Sequence, residues 1–242
     1  MKLGILADIH SNLEALKCVL DALKGVPEFI CLGDIVGYGP NPNECVEIVR
    51  SLNCRTVAGN HGYSCIGKFD ASQFSGDIEK SISWTSKILT PDNRKFLEGL
   101  PDRLEVDDFE MVHGSLRNPI EEYISNVQLG AATIELMKKK ICFVGHLHVP
   151  LVIVKEKDGK YKGWQLNDGD IVDVSKFDKV VINVGSIGQP RDMDPRASFG
   201  IYDNEKQTVE IRKVEYDIQA VQEKMKKADL PDFLIERLKY GR

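Results

Sequence analysis

The chain has 242 residues, enough for one large α/β domain or two small ones and for a sizeable buried core. Its net charge of -5 argues against nucleic acid as the main partner, which leaves a basic footprint, and no extended nucleic-acid surface is expected, though a local basic patch stays open. Six scattered cysteines without a C-x-x-C pair read as reduced, mostly buried thiols of a cytoplasmic protein, and no apolar run or early h-region calls for a membrane or a leader.

Residues 3–7 read as a buried strand, followed by the polar turn Asp8-Ile9-His10-Ser11-Asn12. Ser11 or Asn12 can cap the next helix, whose Leu13, Leu16, Val19, Leu20 and Leu23 share one face before Gly25 and Pro27 end it. A second strand at 28–32 delivers Asp34 to its C-terminal tip, and Gly33 to Pro40 form a turn that cannot be helix. A helix over 41–52 and a short strand over 55–58 follow, the latter running into the turn Gly59-Asn60-His61-Gly62. This alternation predicts parallel pairing with right-handed crossovers. Helical periodicity then covers 77–89 and 92–100, so that 62–100 reads as a helical cap-like segment bordering the strand tips, with plain packing on the sheet as the competing reading. Paired strands at 104–106 and 109–112 lead to His113-Gly114-Ser115, a helix capped by Ser125 reaches Lys140, and a strand at 141–144 ends in Gly145-His146-Leu147-His148. From Leu151 a hairpin (151–154 with 161–166) and strands at 180–184, 199–202 and 208–214 precede two short amphipathic helices near 217–227 and 232–239. No repeat or linker divides the chain, so 1–242 reads as a single domain of two packed sheets with helices outside.

All five histidines lie just past an apolar run, beside a glycine or another ligand-type residue. Singly each motif is weak: Asp-x-His serves turns and caps, and a lone His113 fits a satisfied core histidine. In strand order the set Asp8, His10, Asp34, Asn60, His61, His113, His146 and His148 is specific. Imidazoles mixed with carboxylates and an amide suit first-row transition ions, manganese foremost, with iron, cobalt, nickel or zinc on the same donor set. Histidine disfavours magnesium, and without thiolates a structural zinc site is disfavoured. Asp34, set at its strand tip, is a candidate to bridge two ions.

Asp8-Ile-His10, Gly33-Asp34, Gly59-Asn60-His61, His113-Gly114 and Gly145-His146-x-His148 resemble, in order, the motifs of the calcineurin-like metallophosphoesterase superfamily. The turn Gly37-Tyr38-Gly39-Pro40 and the stretch Asn183 to Arg191 further resemble its small stand-alone branch related to diadenosine tetraphosphatases and phosphodiesterases. The resemblance implies an α/β fold, a four-layer α/β/β/α sandwich of two mixed sheets, with a dinuclear site at the strand tips. It assigns Asp8, His10, Asp34 and His148 to one ion and Asp34, Asn60, His113 and His146 to the other, leaving His61 as the catalytic acid. The implied reaction is hydrolysis of a phosphodiester or phosphomonoester by a bridging hydroxide, on a small phosphorylated substrate such as a nucleotide. Arg191 and Arg117, from loops near the site, are the candidate phosphate contacts, each with a surface ion pair as its competing reading. Two departures weaken a protein serine/threonine phosphatase: position 37, where that branch has an acid, and position 62, where many members have one, are both glycine. A non-catalytic interaction module, like the retromer subunit of this fold, is disfavoured by the complete ligand set. A homo-oligomer through the terminal helices stays open.

Overall fold

The computed structural model describes residues 2–242. Among them are two mixed six-stranded sheets. The first is built from β1 (Lys2–Leu6), β2 (Glu28–Cys31), β3 (Arg55–Thr56), β9 (Ile171–Asp173), β11 (Ala197–Asp203) and β12 (Thr208–Val214), in the order β3-β2-β1-β11-β12-β9. The second holds β4 (Arg103–Glu105), β5 (Phe109–Val112), β6 (Ile141–Val144), β7 (Pro150–Lys155), β8 (Tyr161–Gln165) and β10 (Lys179–Val184), in the order β4-β5-β6-β10-β7-β8. As expected from the alternation, β1, β2 and β3 pair in parallel, and so do β5, β6 and β10. The hairpins are antiparallel, and β11 joins the opposite edge of β1 antiparallel, Lys2 facing Asp203 and Ile5 facing Gly200.

Alternation along the strands sorts the core into three layers. Leu3, Ile5, Ile30 and Val57 of the first sheet meet Phe109, Met111, Phe143 and Ile182 of the second in the inter-sheet core. Leu6, Cys31 and Phe199 point the other way, onto α1 (Leu13–Ala22), α2 (Pro42–Ser51), α7 (Ile218–Lys227) and α8 (Asp232–Glu236). Val112, Cys142, Val144 and Val181 back the second sheet against α6 (Val127–Leu136). The architecture is the four-layer α/β/β/α sandwich. In the connection from β3 of the first sheet to β4 of the second lie α3 (Asn60–Cys65), α4 (Gly76–Ile88) and α5 (Pro91–Glu98), packed on one another and, outside the first sheet, against α2 and α8.

Three sequence expectations are corrected. The stretch at 59–62 is no open turn: Gly59 is the N-cap of α3, and Asn60, His61 and Gly62 form its first turn. Asn126, not Ser125, caps α6, its side chain accepting from the Leu129 N–H. That helix stops at Leu136, short of Lys140, because the buried Glu110 carboxylate accepts the N–H groups of Lys138 (2.8 Å) and Lys139 (3.1 Å) and turns the chain. All six cysteines are free, four of them buried. No helix among the described residues is long and apolar enough to cross a membrane.

Candidate metal centre

The parallel strands of both sheets end on the same side, and the chain leaves each tip in a tight polar turn. Asp8, His10, Asp34, His146 and His148 all sit there with positive φ, between 46° and 69°. Such backbone costs roughly 1–3 kcal/mol per residue and persists only where its surroundings enforce it. Here the enforcement is hydrogen bonding between turns. His10 N donates to Asp34 O (2.9 Å), Ser11 N to Ile35 O (2.9 Å), and His146 N to both Asp8 carboxylate oxygens (3.1 Å each). The 183–191 stretch braces the far side: Ser186 Oγ donates to Asp8 O (2.8 Å) and Gly188 N to the same oxygen (2.9 Å).

The result brings all seven predicted ligands together, buried. Three groups, Asp8 with His10 and His148, Asp34 with His113 and His146, and His10 with Asp34 and His61, each present ligand atoms within 4.8 Å of one another. The outer nitrogen of each imidazole meets a backbone carbonyl, which can only accept: His10 Nδ1 to Val36 O (3.3 Å), His113 Nδ1 to Leu32 O (2.9 Å), His146 Nε2 to Glu121 O (3.1 Å) and His148 Nδ1 to Gln189 O (2.7 Å). Each carbonyl takes the ring's outer proton, so the inner nitrogens of His10, His146 and His148 turn a lone pair to the centre, and that of His113 does so once its second proton leaves, the arrangement metal-binding histidines adopt. His10 Nε2 then faces His148 Nε2 at 3.0 Å, and His113 Nε2 faces His146 Nδ1 at 3.1 Å and Asn60 Oδ1 at 3.0 Å. Asp34 Oδ2 lies between the two pairs, 3.7 Å from His10 Nε2 and 3.4 Å from His113 Nε2, with no hydrogen bond of its own. A buried cluster so rich in acceptors needs positive charge, which a second proton on His113 or a bound cation can supply, and this set of side chains fits divalent transition ions.

The electrostatics give the same demand. Burial, with the Asp34 charge adding to it, pushes the Asp8 carboxyl up to about 6 against the pull of His113. Burial works against ionised Asp34 as well, yet His113 and His61 hold it well below the ordinary carboxylate range. His113 itself rises to about 9 although burial disfavours its charge, because Asp34 and Asp8 outweigh that cost. His10 and His148 are driven well below the usual imidazole range by burial, so their facing nitrogens stay unprotonated.

His61 is anchored by its N–H on Asp34 Oδ1 (2.9 Å), while its ring lies against Tyr38 (centroids 4.3 Å apart), His10 (4.8 Å) and Phe74 (5.2 Å). Among the described residues no carboxylate hydrogen-bonds the ring, whose Nδ1 has no partner. At position 37 none fits: a Cβ there would lie 2.5 Å from His61 Nδ1, and φ is +92°. Burial pushes His61 down to about 4, against the pull of Asp34. Arg191 reaches the Tyr38 hydroxyl (3.2 Å) and Gln189 Oε1 (3.0 Å), with its buried Nε unpartnered. Arg117 is paired with Glu122, and that pair steadies the loop whose Glu121 carbonyl holds His146. Tyr123, stacked on His146 at 3.6 Å and 16°, was invisible to sequence reasoning, as an aromatic in an irregular loop carries no periodic signal.

Residues 1–207 match the calcineurin-like phosphoesterase superfamily domain. An uncharacterized protein of Methanocaldococcus jannaschii is 40% identical over 252 residues, covering 99% of this chain and 98% of its own length. A metallophosphoesterase from Sphaerobacter thermophilus shares 41% identity and superposes with a TM-score of 0.91 over 100% of both chains. A hypothetical protein from Pyrococcus horikoshii, 23% identical, shares the fold at a TM-score of 0.81, covering 100% of this chain and 98% of that one.

Proposed function

Because the chain belongs to the calcineurin-like phosphoesterase superfamily, we propose that it works with two divalent transition ions, manganese foremost, to hydrolyse phosphodiester or phosphomonoester bonds of small molecules, nucleotides among them. The observation that carries this reading is the pair of facing acceptor contacts on either side of Asp34, His10 with His148 and His113 with His146. In this reading Asp8, His10, Asp34 and His148 hold one ion, and Asp34, Asn60, His113 and His146 the other. When bound, the ions supply Lewis acidity, acidifying water and drawing charge from the phosphoryl oxygens.

The protein's own groups do the rest. Arg191, with no carboxylate partner among the described residues and an unpartnered buried Nε, offers its guanidinium to a phosphoryl oxygen. His61 is neutral at pH 7 before substrate arrives. A phosphoester brings negative charge beside the ring and raises its proton affinity, so that His61 takes up a proton and passes it to the leaving oxygen. Tyr38 and Phe74 fix the plane in which it does so.

The test is chelator-stripped protein reloaded with Mn²⁺ and assayed on bis-p-nitrophenyl phosphate and p-nitrophenyl phosphate. Turnover should appear only with metal, and Asp34→Asn should lose bound metal and turnover together. Two ions retained per chain in Asp34→Asn would overturn the shared carboxylate. Silence of the loaded wild type on both esters and on nucleotides would leave the fold as an interaction module.

A further inference from the structure

We propose that the mouth of the metal centre is a slot for a flat aromatic ring of the substrate, so that nucleoside or aryl phosphates are the preferred esters. This rests on the phosphoesterase reading above and names the substrate class for that site. A cavity of about 210 Å³ opens beside the ligands, lined by Asn60, Phe69, Phe74, Glu121, Tyr123 and His146. Its lining comes from separate segments, the two phenylalanines from the stretch after α3 and Glu121 and Tyr123 from the loop after β5. The phenylalanines stand with centroids 6.1 Å apart, and Phe74 also touches the His61 ring. Tyr123 stacks nearly parallel on His146 and interacts with Arg191, yet is 44% exposed.

The core accounts for only one of these rings in part: Phe74, partly buried, packs against the core beneath the first sheet's helices. Phe69 is also only partly buried, and neither it nor Tyr123 covers any of the three apolar cores. What they share is the cavity and the metal ligands beneath it. Aromatic side chains around such an opening bind flat π-systems by stacking, with tolerance for which base is presented. A phosphoryl group at the candidate ligands, with Arg191 beside it, brings the attached ring within reach of these aromatic side chains.

The test measures inhibition of bis-p-nitrophenyl phosphate hydrolysis by adenosine 5′-monophosphate, phenyl phosphate and ribose 5-phosphate, on the Mn²⁺-loaded enzyme. Adenosine 5′-monophosphate and ribose 5-phosphate differ in the base alone. At least one aromatic phosphate should bind about tenfold tighter than ribose 5-phosphate. Adenosine 5′-monophosphate alone would identify a nucleobase, phenyl phosphate alone an aryl group, and both a general ring slot. Phe69→Leu should narrow the gap while leaving ribose 5-phosphate unchanged, Tyr123→Leu should narrow it as well, and Tyr123→Phe should keep it. Equal inhibition by all three compounds, or a gap indifferent to both leucine variants, would overturn the slot. If no ester is hydrolysed, the phosphoesterase reading fails instead, and calorimetric titration with the same compounds still decides the slot by the same comparison.

Discussion

At position 61 the backbone and the ring answer to different partners. The N–H is fixed by Asp34, whereas the imidazole is wedged between Tyr38 and Phe74 over a glycine. A proton carrier so placed should be separable from the metal. His61→Gln should keep both ions by metal analysis while kcat on poor leaving groups falls by about 10²–10⁴. Loss of an ion would instead move His61 into the ligand set, which its grouping with His10 and Asp34 makes a specific alternative. The clustering of the candidate ligands was legible because each sits within a few residues of a strand end, where motif and position coincide. What holds them was less legible. The carbonyls of Val36, Leu32, Glu121 and Gln189 look like any others in sequence, and Phe74 lies 13 positions from the ring it supports.

Among the elements, α3 shows where local reading fails. Six residues are too few for helical periodicity to register, and Gly62 inside them argues for a turn. The helix exists because Gly59 brings the chain past Asp34, where any side chain would strike Oδ1, and Asn60 then enters the ligand cluster at the first turn. Gly62 makes no such demand: a Cβ there meets nothing within 4 Å and its φ is not positive. Gly62→Ala should therefore raise stability by about 0.5–1 kcal/mol, from the unfolded chain's lost freedom, in urea unfolding of the metal-free protein. A decrease would mean that the space beside α3 is filled. The three-residue β9 escaped notice for the same reason of length, and α6 was overrun because a carboxylate on β5, distant in sequence, ends it. The parallel strands and the hairpin were legible from alternating apolar runs and turn residues.

On the scale of the whole molecule, the candidate ligands are drawn from both sheets: Asp8, His10, Asp34 and Asn60 from the tips of the first, His113, His146 and His148 from the second. Ions bound there tie the two layers together and bind only the folded chain, whose acceptor cluster the unfolded chain lacks. At free metal a hundredfold above Kd one such site stabilises by about 2.7 kcal/mol. For a protein of this size that is a Tm at least about 5 °C higher than with chelator, readable by calorimetry. An unchanged Tm would mean the ligands hold no ion at these concentrations. The antiparallel pairing of β1 with β11 has a consequence for how the molecule is made. A ribosome releases the strand leading to Asp8 some 190 residues before the one that seals its open edge. Every nascent chain thus carries that edge unsealed for the whole interval, and the turn that holds Asp8 gains its flanking strand only when the interval ends.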